Sequence, residues 1–150
     1  MIVAMVLGNC RYSEGGMTRY AILAVLFVVA WVPTVRADFE GDKRLCVSND
    51  TSPDASISAC TRLIQSGRLS SHNLAITHYN RGGSYRQIDA YNEAVQDYDE
   101  AIRRRPDYAH AFGNRGLAHE MLGRRDAAIQ DFKRQYDLGS RPKWLLRKLK

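Results

Sequence analysis

The sequence predicts an all-α protein in which antiparallel helix pairs stack side by side. Two segments of the 150-residue chain, 75–108 and 109–142, align without a gap at a spacing of 34 residues. Apolar or small residues recur three and four positions apart in each segment, which places them on one face of a helix. A single helix pair cannot bury such faces completely, so the repeated units are expected to pack against each other.

The two segments share the residues that a packed helix pair would bury. Tyr79–Gly82 aligns with Gly113–Gly116, and further along Tyr98 aligns with Phe132. Glycine inside a helix is unfavourable by roughly 1 kcal/mol relative to alanine. The glycine that ends each range therefore predicts a close helix–helix contact, with the aligned aromatic residue on the opposite helix.

Proline, glycine and charged residues mark the predicted helix ends. Pro106 stops the helix before it, and Asp107 is placed to cap the next one. Gly123 predicts the turn inside the second segment. The three arginines of 103–105 fall at a helix C-terminus, where positive charge is favourable. The run is isolated and no aromatic residues interleave with it, so it fits a helix end better than a nucleic-acid site.

Each segment also has an arginine followed by an aspartate 16 residues later, namely Arg81 with Asp97 and Arg115 with Asp131. In two antiparallel helices joined by a short turn, these positions lie nearly opposite each other. The sequence therefore predicts two ion pairs, and their role is expected to be structural rather than catalytic.

The helix–turn–helix period of 34 residues resembles the tetratricopeptide repeat (TPR) family. The resemblance covers 75–142 well and 54–70 partially. It implies a TPR-type α-α superhelix of antiparallel helix pairs, with a half-repeat before the full repeats and a short capping helix after them. In order along the chain, the expected parts are an irregular segment at 38–53 and a TPR domain at 54–150, made of a half-repeat at 54–70, repeat one at 75–108, repeat two at 109–142 and the cap at 143–150.

The predicted stack is short. Two full repeats and a half are few, because stable stacks usually contain at least three repeats. The sequence therefore predicts extra stabilisation, either from a disulfide or from formation of a homo-oligomer. Gln135 also departs from the family pattern, since it stands where a small residue is usual.

Residues 1–37 are interpreted as an upstream extension followed by a signal peptide that begins at Met17. Arg19 supplies a positive flank, twelve apolar residues follow at 21–32, and Val35-Arg36-Ala37 forms a small-x-small cleavage site. Cleavage is expected after Ala37. An uncleaved membrane anchor is the alternative, which is disfavoured because a membrane span needs about 20 apolar residues.

Removal of 1–37 lowers the formal charge from +6 to +4 and leaves two cysteines, Cys46 and Cys60. An even pair in an exported chain predicts a disulfide between them. The alternative is that Cys60 acts as a small buried apolar residue, because it continues the apolar pattern of its helix.

The sequence predicts a protein that is not an enzyme and holds no cofactor and no metal. Its four histidines lack the spacing of metal ligands. It contains neither a phosphate-binding glycine loop nor a nucleophile elbow.

The TPR resemblance implies a peptide-binding groove on the first helices of the repeats. Asn80 and Asn114 occupy the same place in the two repeats, and an amide side chain can both donate to and accept from a ligand backbone. The variety of the family that grips carboxylates adds lysine and arginine from a third unit, which is absent here, so specificity stays open. The residues expected on the groove are Ile76, Tyr79, Asn80, Gly83, Arg86, Gln87, His110, Asn114, Leu117, Glu120 and Met121.

These observations favour an exported, periplasmic TPR adaptor or scaffold that binds a protein or peptide, similar to small exported TPR proteins of Gram-negative bacteria. In this interpretation the chain meets the membrane only transiently, through its signal peptide. One alternative is a scaffold anchored in the inner membrane by an uncleaved 21–32 segment. Another is a nucleic-acid-binding module, suggested by the pI of about 9.4, but export would separate the protein from most nucleic acid.

Overall fold

The computed structural model of the protein describes residues 38–48 and 50–148. Within these residues the chain is helical and has no β-strand, which confirms the predicted all-α class. The predicted signal peptide and the extension before it lie outside the described residues. No helix of the described part is both long and apolar enough to cross a membrane. Its helices are α1 (Phe39–Val47), α2 (Pro53–Gln65), α3 (Ser71–Gln87), α4 (Tyr91–Arg104), α5 (Ala109–Met121), α6 (Arg125–Asp137) and α7 (Lys143–Lys148).

Consecutive helices form antiparallel pairs. Helix α3 packs on α4 and α5 packs on α6, while contacts of α2 with α3 and of α4 with α5 join successive pairs into a stack. The contacts between α3 and α4 show that these two helices run in opposite directions. Gly82 of α3 lies against Ala94 of α4, whereas His78, which comes earlier in α3, bonds to Asp97, which comes later in α4. Helix α1 also contacts α3, and α3 contacts α5. The first helices of the pairs therefore form one continuous face of the stack.

The turns inside the two repeats are built in the same way. The turn from α3 to α4 contains Asp89 with φ 60°, and the turn from α5 to α6 contains Gly123 with φ 72°. Both positive φ values place the residue in the left-handed region that reverses the chain.

The predicted cap at Asp107 is wrong, because Tyr108 occupies the capping position at the start of α5 without a side-chain hydrogen bond. The Asp107 carboxylate instead accepts a hydrogen bond from Arg105 Nε at 3.3 Å.

The glycines inside α3 and α5 allow the close helix contact that the sequence predicts. A β-carbon on Gly116 would lie 2.6 Å from Cε1 of Phe132 and 3.2 Å from the carbonyl oxygen of Ala128. Phe132 is 2% exposed, so its ring has little room to move. Gly82 stands in the same relation to Tyr98.

The prediction that 38–53 is irregular is wrong. Helix α1 forms there and packs on α2, which gives the half-repeat a short first helix. A nine-residue helix is marginal by itself, and a glycine and four charged residues interrupt its apolar pattern in the sequence. Contacts with α2 stabilise it instead. Cys46 is bonded to Cys60. Arg62 Nε donates to the Asp42 carboxylate and lies 3.0 Å from both of its oxygens, and Arg62 Nη2 donates to Asp42 Oδ1 at 2.5 Å.

Helix α7 covers the last pair of the stack, as the predicted short cap should. Leu145 is fully buried and packs with Ala128 and Phe132. Trp144 meets Phe132 edge-on, with ring centroids 5.6 Å apart. The cap thus ends the stack with apolar side chains turned inward.

Candidate functional site

Two neighbouring cavities lie on the face formed by α1, α3 and α5. Cys46, Val47 and Asn80 border both cavities, so the two form one groove. The apolar cavity has a volume of about 300 Å³ and is lined by Lys43, Cys46, Val47, Leu63, Leu69, Asn73, Ile76, Thr77 and Asn80. The polar cavity has a volume of about 190 Å³ and is lined by Cys46, Val47, Ser48, Ser56, Tyr79, Asn80, Gly83, Ser84, Arg86, Gln87 and Asn114.

The apolar cavity is built from aliphatic side chains of three helices and one connection. Helix α1 contributes Val47, α2 contributes Leu63, α3 contributes Ile76, and Leu69 comes from the connection between α2 and α3. Val47 is 64% exposed, although it belongs to the wall of the groove. Burial of apolar area is worth roughly 25 cal/mol per Å², so this cavity favours an aliphatic side chain of a ligand.

The polar cavity carries hydrogen-bonding groups and one positive charge. Asn114 Nδ2 donates a hydrogen bond to Tyr79 Oη at 3.0 Å, and this bond joins α5 to α3. Ser84 Oγ donates to Ser56 Oγ at 2.9 Å, which joins α3 to α2. Among the described residues that line the cavity, only Arg86 is charged. The cavity is therefore suited to a negatively charged or hydrogen-bond-accepting group.

Three buried polar atoms near this cavity have no hydrogen-bond partner within the described part of the chain: Asn80 Nδ2, Arg86 Nε and the hydroxyl of Tyr98. The Tyr98 hydroxyl lies close to α3. It is 4.0 Å from the position that a β-carbon would occupy if Gly83 had one. Burial raises the pKa of Tyr98 to about 12, and the Arg86 guanidinium opposes that rise in part. Tyr98 is therefore neutral near pH 7, and the positive charge of the polar cavity comes from Arg86.

The groove contains most of the residues that the sequence predicts for it. Asn80 lies between the two cavities, and Asn114 reaches the polar one from α5. The predicted residues that line at least one cavity are Ile76, Tyr79, Asn80, Gly83, Arg86, Gln87 and Asn114.

The four remaining predicted residues, all on α5, line neither cavity. Leu117 packs against the cluster of Ala128, Phe132 and Leu145. Glu120 bonds to Lys148 of α7. His110 is exposed and Met121 is 62% exposed, without lining either cavity. The later part of α5 thus serves the contact with the cap, which the repeat pattern does not reveal.

The sequence reasoning missed the wall of the groove that α1 and α2 provide. Lys43, Cys46 and Val47 fall in the segment predicted to be irregular, and Leu63 and Leu69 are absent from the predicted groove residues. One pattern could have identified this wall. Cys46 lies 34 residues before Asn80, so the repeat period extended upstream places it on the groove face.

The structure brings together the first predicted ion pair. Arg81 Nε donates to Asp97 Oδ2 at 2.7 Å, and Arg81 Nη2 donates to Asp97 Oδ1 at 2.8 Å. His78 Nδ1 lies 2.8 Å from Asp97 Oδ1, and Arg81 Nη1 donates to Thr61 Oγ1 at 3.0 Å. The network links α2, α3 and α4. The hydrogen bond to Asp97 raises the pKa of Arg81 above its usual value, so the guanidinium stays charged.

The second predicted pair has the same geometry with different neighbours. Arg115 Nε donates to Asp131 Oδ2 at 2.9 Å, and Arg115 Nη2 donates to Asp131 Oδ1 at 2.6 Å. A third bond runs from Arg115 Nη1 to Asp99 of α4 at 2.5 Å. Both arginines therefore connect one helix pair to the preceding one, in addition to closing their own pair.

A disulfide joins Cys46 of α1 to Cys60 of α2. Cys46 is 3% exposed and Cys60 is fully buried. Because Cys46 borders both cavities, this bond fixes the α1 wall of the groove.

The described residues do not assemble a metal centre. No three histidine, cysteine, aspartate or glutamate side chains in 38–48 and 50–148 lie close enough together to hold a metal ion. His78, the buried histidine in α3, is bonded to Asp97. His119 is partly buried, and this burial lowers its pKa.

Known proteins resemble this chain in sequence and structure. A family model described as "TPR repeat" matches residues 82–123. The second TPR domain of human RPAP3, in complex with the HSP70 peptide SGPTIEEVD, is 31% identical; the match covers 65% of this chain and 78% of that chain, with a TM-score of 0.58. The second TPR of Spaghetti (RPAP3), bound to the HSP90 peptide SRMEEVD, is 32% identical over 57% of this chain and 76% of that chain, with a TM-score of 0.53.

The TPR2B domain of yeast Sti1, in complex with pHsp70, is 15% identical and shares the fold. That match covers 74% of this chain and 92% of the Sti1 chain, with a TM-score of 0.65. The repeat period, the paired helices and the identity to the human RPAP3 domain agree, and the chain belongs to the tetratricopeptide repeat family.

Proposed function

We propose that this protein is an adaptor that binds an extended segment of another protein along the face of α1, α3 and α5. One observation carries the proposal: two cavities of different chemistry meet at Asn80 and form a single groove. A groove with an aliphatic part and a polar part can bind a peptide side chain in each. The packing of the stacked helices would hold both parts in place.

Two details of the groove support peptide binding. The Asn114 amide already donates one hydrogen bond to Tyr79, which orients its carbonyl and its second N–H. Asn80 has an unpaired amide N–H group at the groove floor. An asparagine amide can both donate to and accept from a peptide backbone irrespective of the peptide's sequence.

The related structures support the same function. The RPAP3 domain that is 31% identical to this chain was solved with an HSP70 peptide, and the 32% identical TPR of Spaghetti (RPAP3) was solved with an HSP90 peptide. By analogy with these relatives, the function proposed here is recognition of a protein segment rather than chemical conversion of a substrate.

We further propose that the protein acts outside the cytoplasm, in the periplasm of a Gram-negative bacterium, as a small exported TPR protein. The apolar segment and small-x-small site at 17–37 support export. The bond between Cys46 and Cys60 supports an oxidising compartment, where disulfides persist. N-terminal sequencing of the protein from the cell envelope tests this: a chain that starts at Asp38 is expected, whereas one that starts at Met1 or Met17 would indicate the membrane-anchored form.

Site-specific photocrosslinking tests the binding face. A photoreactive amino acid placed at Val47 or Gln87, both exposed in the groove, is expected to form adducts with a bound protein segment. The same amino acid at exposed Gln96 or Gln130, on second helices, provides the control. Adducts that are equal at all four positions, or that are lost from none of them in the Asn80→Ala/Asn114→Ala variant, would contradict the proposal.

A further inference from the structure

The positive charge of the chain is concentrated at its C-terminal end. Residues 133–150 contain seven lysines and arginines and one aspartate, a formal charge of +6, whereas residues 38–132 contain twelve basic and fourteen acidic residues, a formal charge of −2. Such an asymmetry between two parts of a chain is typical of proteins that contact a negatively charged partner. The basic end comprises the end of α6, the connection after it and the cap α7.

Most basic residues of this end have no carboxylate partner in the described part of the chain. By contrast, the three arginines at 103–105 pair with two neighbouring carboxylates. Among the basic residues of 133–148, only Lys148 forms a salt bridge with a described residue, which is Glu120. The others are all exposed, namely Lys133, Arg134, Arg141, Lys143 and Arg147. The positive charge of the cap is therefore available to a partner.

Helix α7 presents one face away from the stack. Leu145 is fully buried, whereas Lys143, Leu146 and Arg147 are exposed. Residues three and four positions apart share a face of a helix, so Leu146, which is 46% exposed, lies beside both cations. An exposed leucine next to cations is typical of helices that lie on anionic lipid, because the apolar group enters the boundary of the acyl chains and the cations bind the phosphates.

We propose that the outward face of α7, formed by Lys143, Leu146 and Arg147, binds the surface of a membrane that contains anionic phospholipid. The folded protein makes this contact, which is separate from the membrane passage expected of the signal peptide. A specific protein interface takes about 20–30 residues on each side, far more than this face offers. A nucleic-acid backbone has no apolar layer that Leu146 could enter. The observations therefore favour lipid over both of these partners.

Membrane contact through α7 goes beyond the proposed peptide binding and does not depend on it. None of the described residues that line the two cavities belongs to α6 or α7. A protein held at a membrane by its cap thus leaves the groove open to a partner. The contact is reversible, because so short a helix with one exposed leucine buries little apolar area in the lipid.

Vesicle sedimentation tests the proposal. The chain from Asp38 onward is used, because the described residues form one compact unit and the predicted signal peptide would bind lipid by itself. Binding to vesicles of phosphatidylcholine and phosphatidylglycerol at about two to one is expected to exceed binding to pure phosphatidylcholine about tenfold or more, and to weaken as salt is added. Equal binding to the two kinds of vesicle, or no binding to either, would overturn the proposal.

Two double variants test the position of the contact. Lys143→Gln/Arg147→Gln is expected to weaken binding to the anionic vesicles about twentyfold, since each cation near an anionic surface contributes about fivefold. Arg44→Gln/Arg68→Gln removes the same charge from exposed residues at the other end of the stack and should change binding less than about threefold. Circular dichroism checks that both variants fold. Equal losses would overturn the proposal, because binding would then depend on net charge alone.

Leu146→Ser separates lipid from other polyanions. This variant is expected to weaken binding to the anionic vesicles about threefold or more, because it removes the apolar group that enters the lipid. Its binding to a DNA duplex or to polyglutamate should match that of the unchanged protein. Vesicle binding that does not depend on Leu146, or tighter binding to DNA or polyglutamate than to vesicles, would overturn the assignment to lipid.

Discussion

Gly82 lies against the ring of Tyr98 so closely that a β-carbon at position 82 would be 2.9 Å from its Cε1 atom. The ring is fully buried, and the carbonyl oxygen of Ala94 closes the same space at 3.2 Å. The neighbouring Gly83 is different, because a β-carbon there would have the Tyr98 hydroxyl oxygen as its nearest neighbour at 4.0 Å. Two adjacent glycines in one helix thus have opposite packing environments.

Gly82→Ala is expected to destabilise the protein by about 1–3 kcal/mol, because the added methyl group overpacks the contact of α3 with α4. Gly83→Ala is the matched control. It should be neutral or stabilising by up to about 1 kcal/mol, since alanine favours the helix and meets no clash. Urea denaturation of both variants measures the difference, and equal unfolding free energies would contradict the packing argument.

Asp97→Ala is expected to lower the free energy of unfolding by about 3–5 kcal/mol, because it leaves the charge of Arg81 and its buried neighbours without a partner. Asp97 is 4% exposed and bonds to both Arg81 and His78. Asp107→Ala removes an aspartate whose side chain is 74% exposed and should change stability by less than about 1 kcal/mol. Thermal melts that shift equally for the two variants would show that the buried pair is not important for stability.

The repeat period could be predicted from the sequence because the same contacts are encoded twice. The alignment of Gly82 with Gly116 and of Tyr98 with Phe132 fixes the phase of both helix pairs, and the structure has that phase. Helix α1 is less clearly encoded, because the 34-residue spacing of Cys46 from Asn80 is the one sign of the repeat that the alignment offers there. Its stability comes from the disulfide to Cys60 and from the bonds of Asp42 to Arg62, and such long-range contacts leave no local pattern.

The residues that line the two cavities were predicted only in part for the same reason. The residues on α3 follow from the position of Asn80 in the repeat, and they line the cavities. The second half of α5 carries the same pattern, but Glu120 bonds to α7, and Leu117 joins the core under the cap. A repeat pattern assigns a residue to a face, whereas the neighbours in the stack decide what that face contacts.

Reduction of the disulfide, or the Cys46→Ser/Cys60→Ser variant, is expected to destabilise the protein by about 3 kcal/mol, because the short closed loop restricts the unfolded chain. Its effect on the native state should be local. Amide hydrogen exchange is expected to increase in α1, which the bond attaches to α2, while exchange in α5 and α6 stays unchanged. Uniformly faster exchange would show that α1 supports the whole stack rather than only the groove wall.

Tyr98→Phe should make the protein less sensitive to alkaline pH. Burial raises the pKa of Tyr98 from 10.0 to about 12 in the folded state, whereas in the unfolded chain the hydroxyl has its ordinary pKa. The unfolded state therefore loses this proton first as the pH rises, so the contribution to stability is complete below pH 10.0 and is lost between pH 10.0 and about 12.

The Tyr98→Phe variant is expected to lose less stability than the unchanged protein over this interval, by roughly 2–3 kcal/mol. At neutral pH the substitution should have a small effect, because the hydroxyl has no partner among the described residues. Urea denaturation at a series of alkaline pH values measures both effects. Parallel stability curves for the two proteins would mean that Tyr98 ionises as easily when folded as when unfolded.

Gly113 and Gln135 are expected to be energetically coupled. A β-carbon on Gly113 would lie 2.6 Å from Cδ of Gln135, and Gln135 is 3% exposed. In the first repeat the aligned residues are Tyr79 and Ala101, so the large residue is on the first helix there and on the second helix here. This exchange of sizes explains why Gln135 fits where the family usually has a small residue.

The Gly113→Ala change alone should therefore destabilise the protein by about 1–3 kcal/mol, through overpacking against Gln135. In the Gly113→Ala/Gln135→Ala double variant the clash is absent, and a coupling energy of about 0.5–3 kcal/mol is expected from the double-mutant cycle. The single Gln135→Ala variant completes the cycle and accounts for the lost bond from Gln135 Nε2 to Ser140 Oγ at 3.1 Å. Strictly additive effects of the two changes would mean that Gln135 can leave the contact freely, and that the size of residue 113 is not what accommodates it.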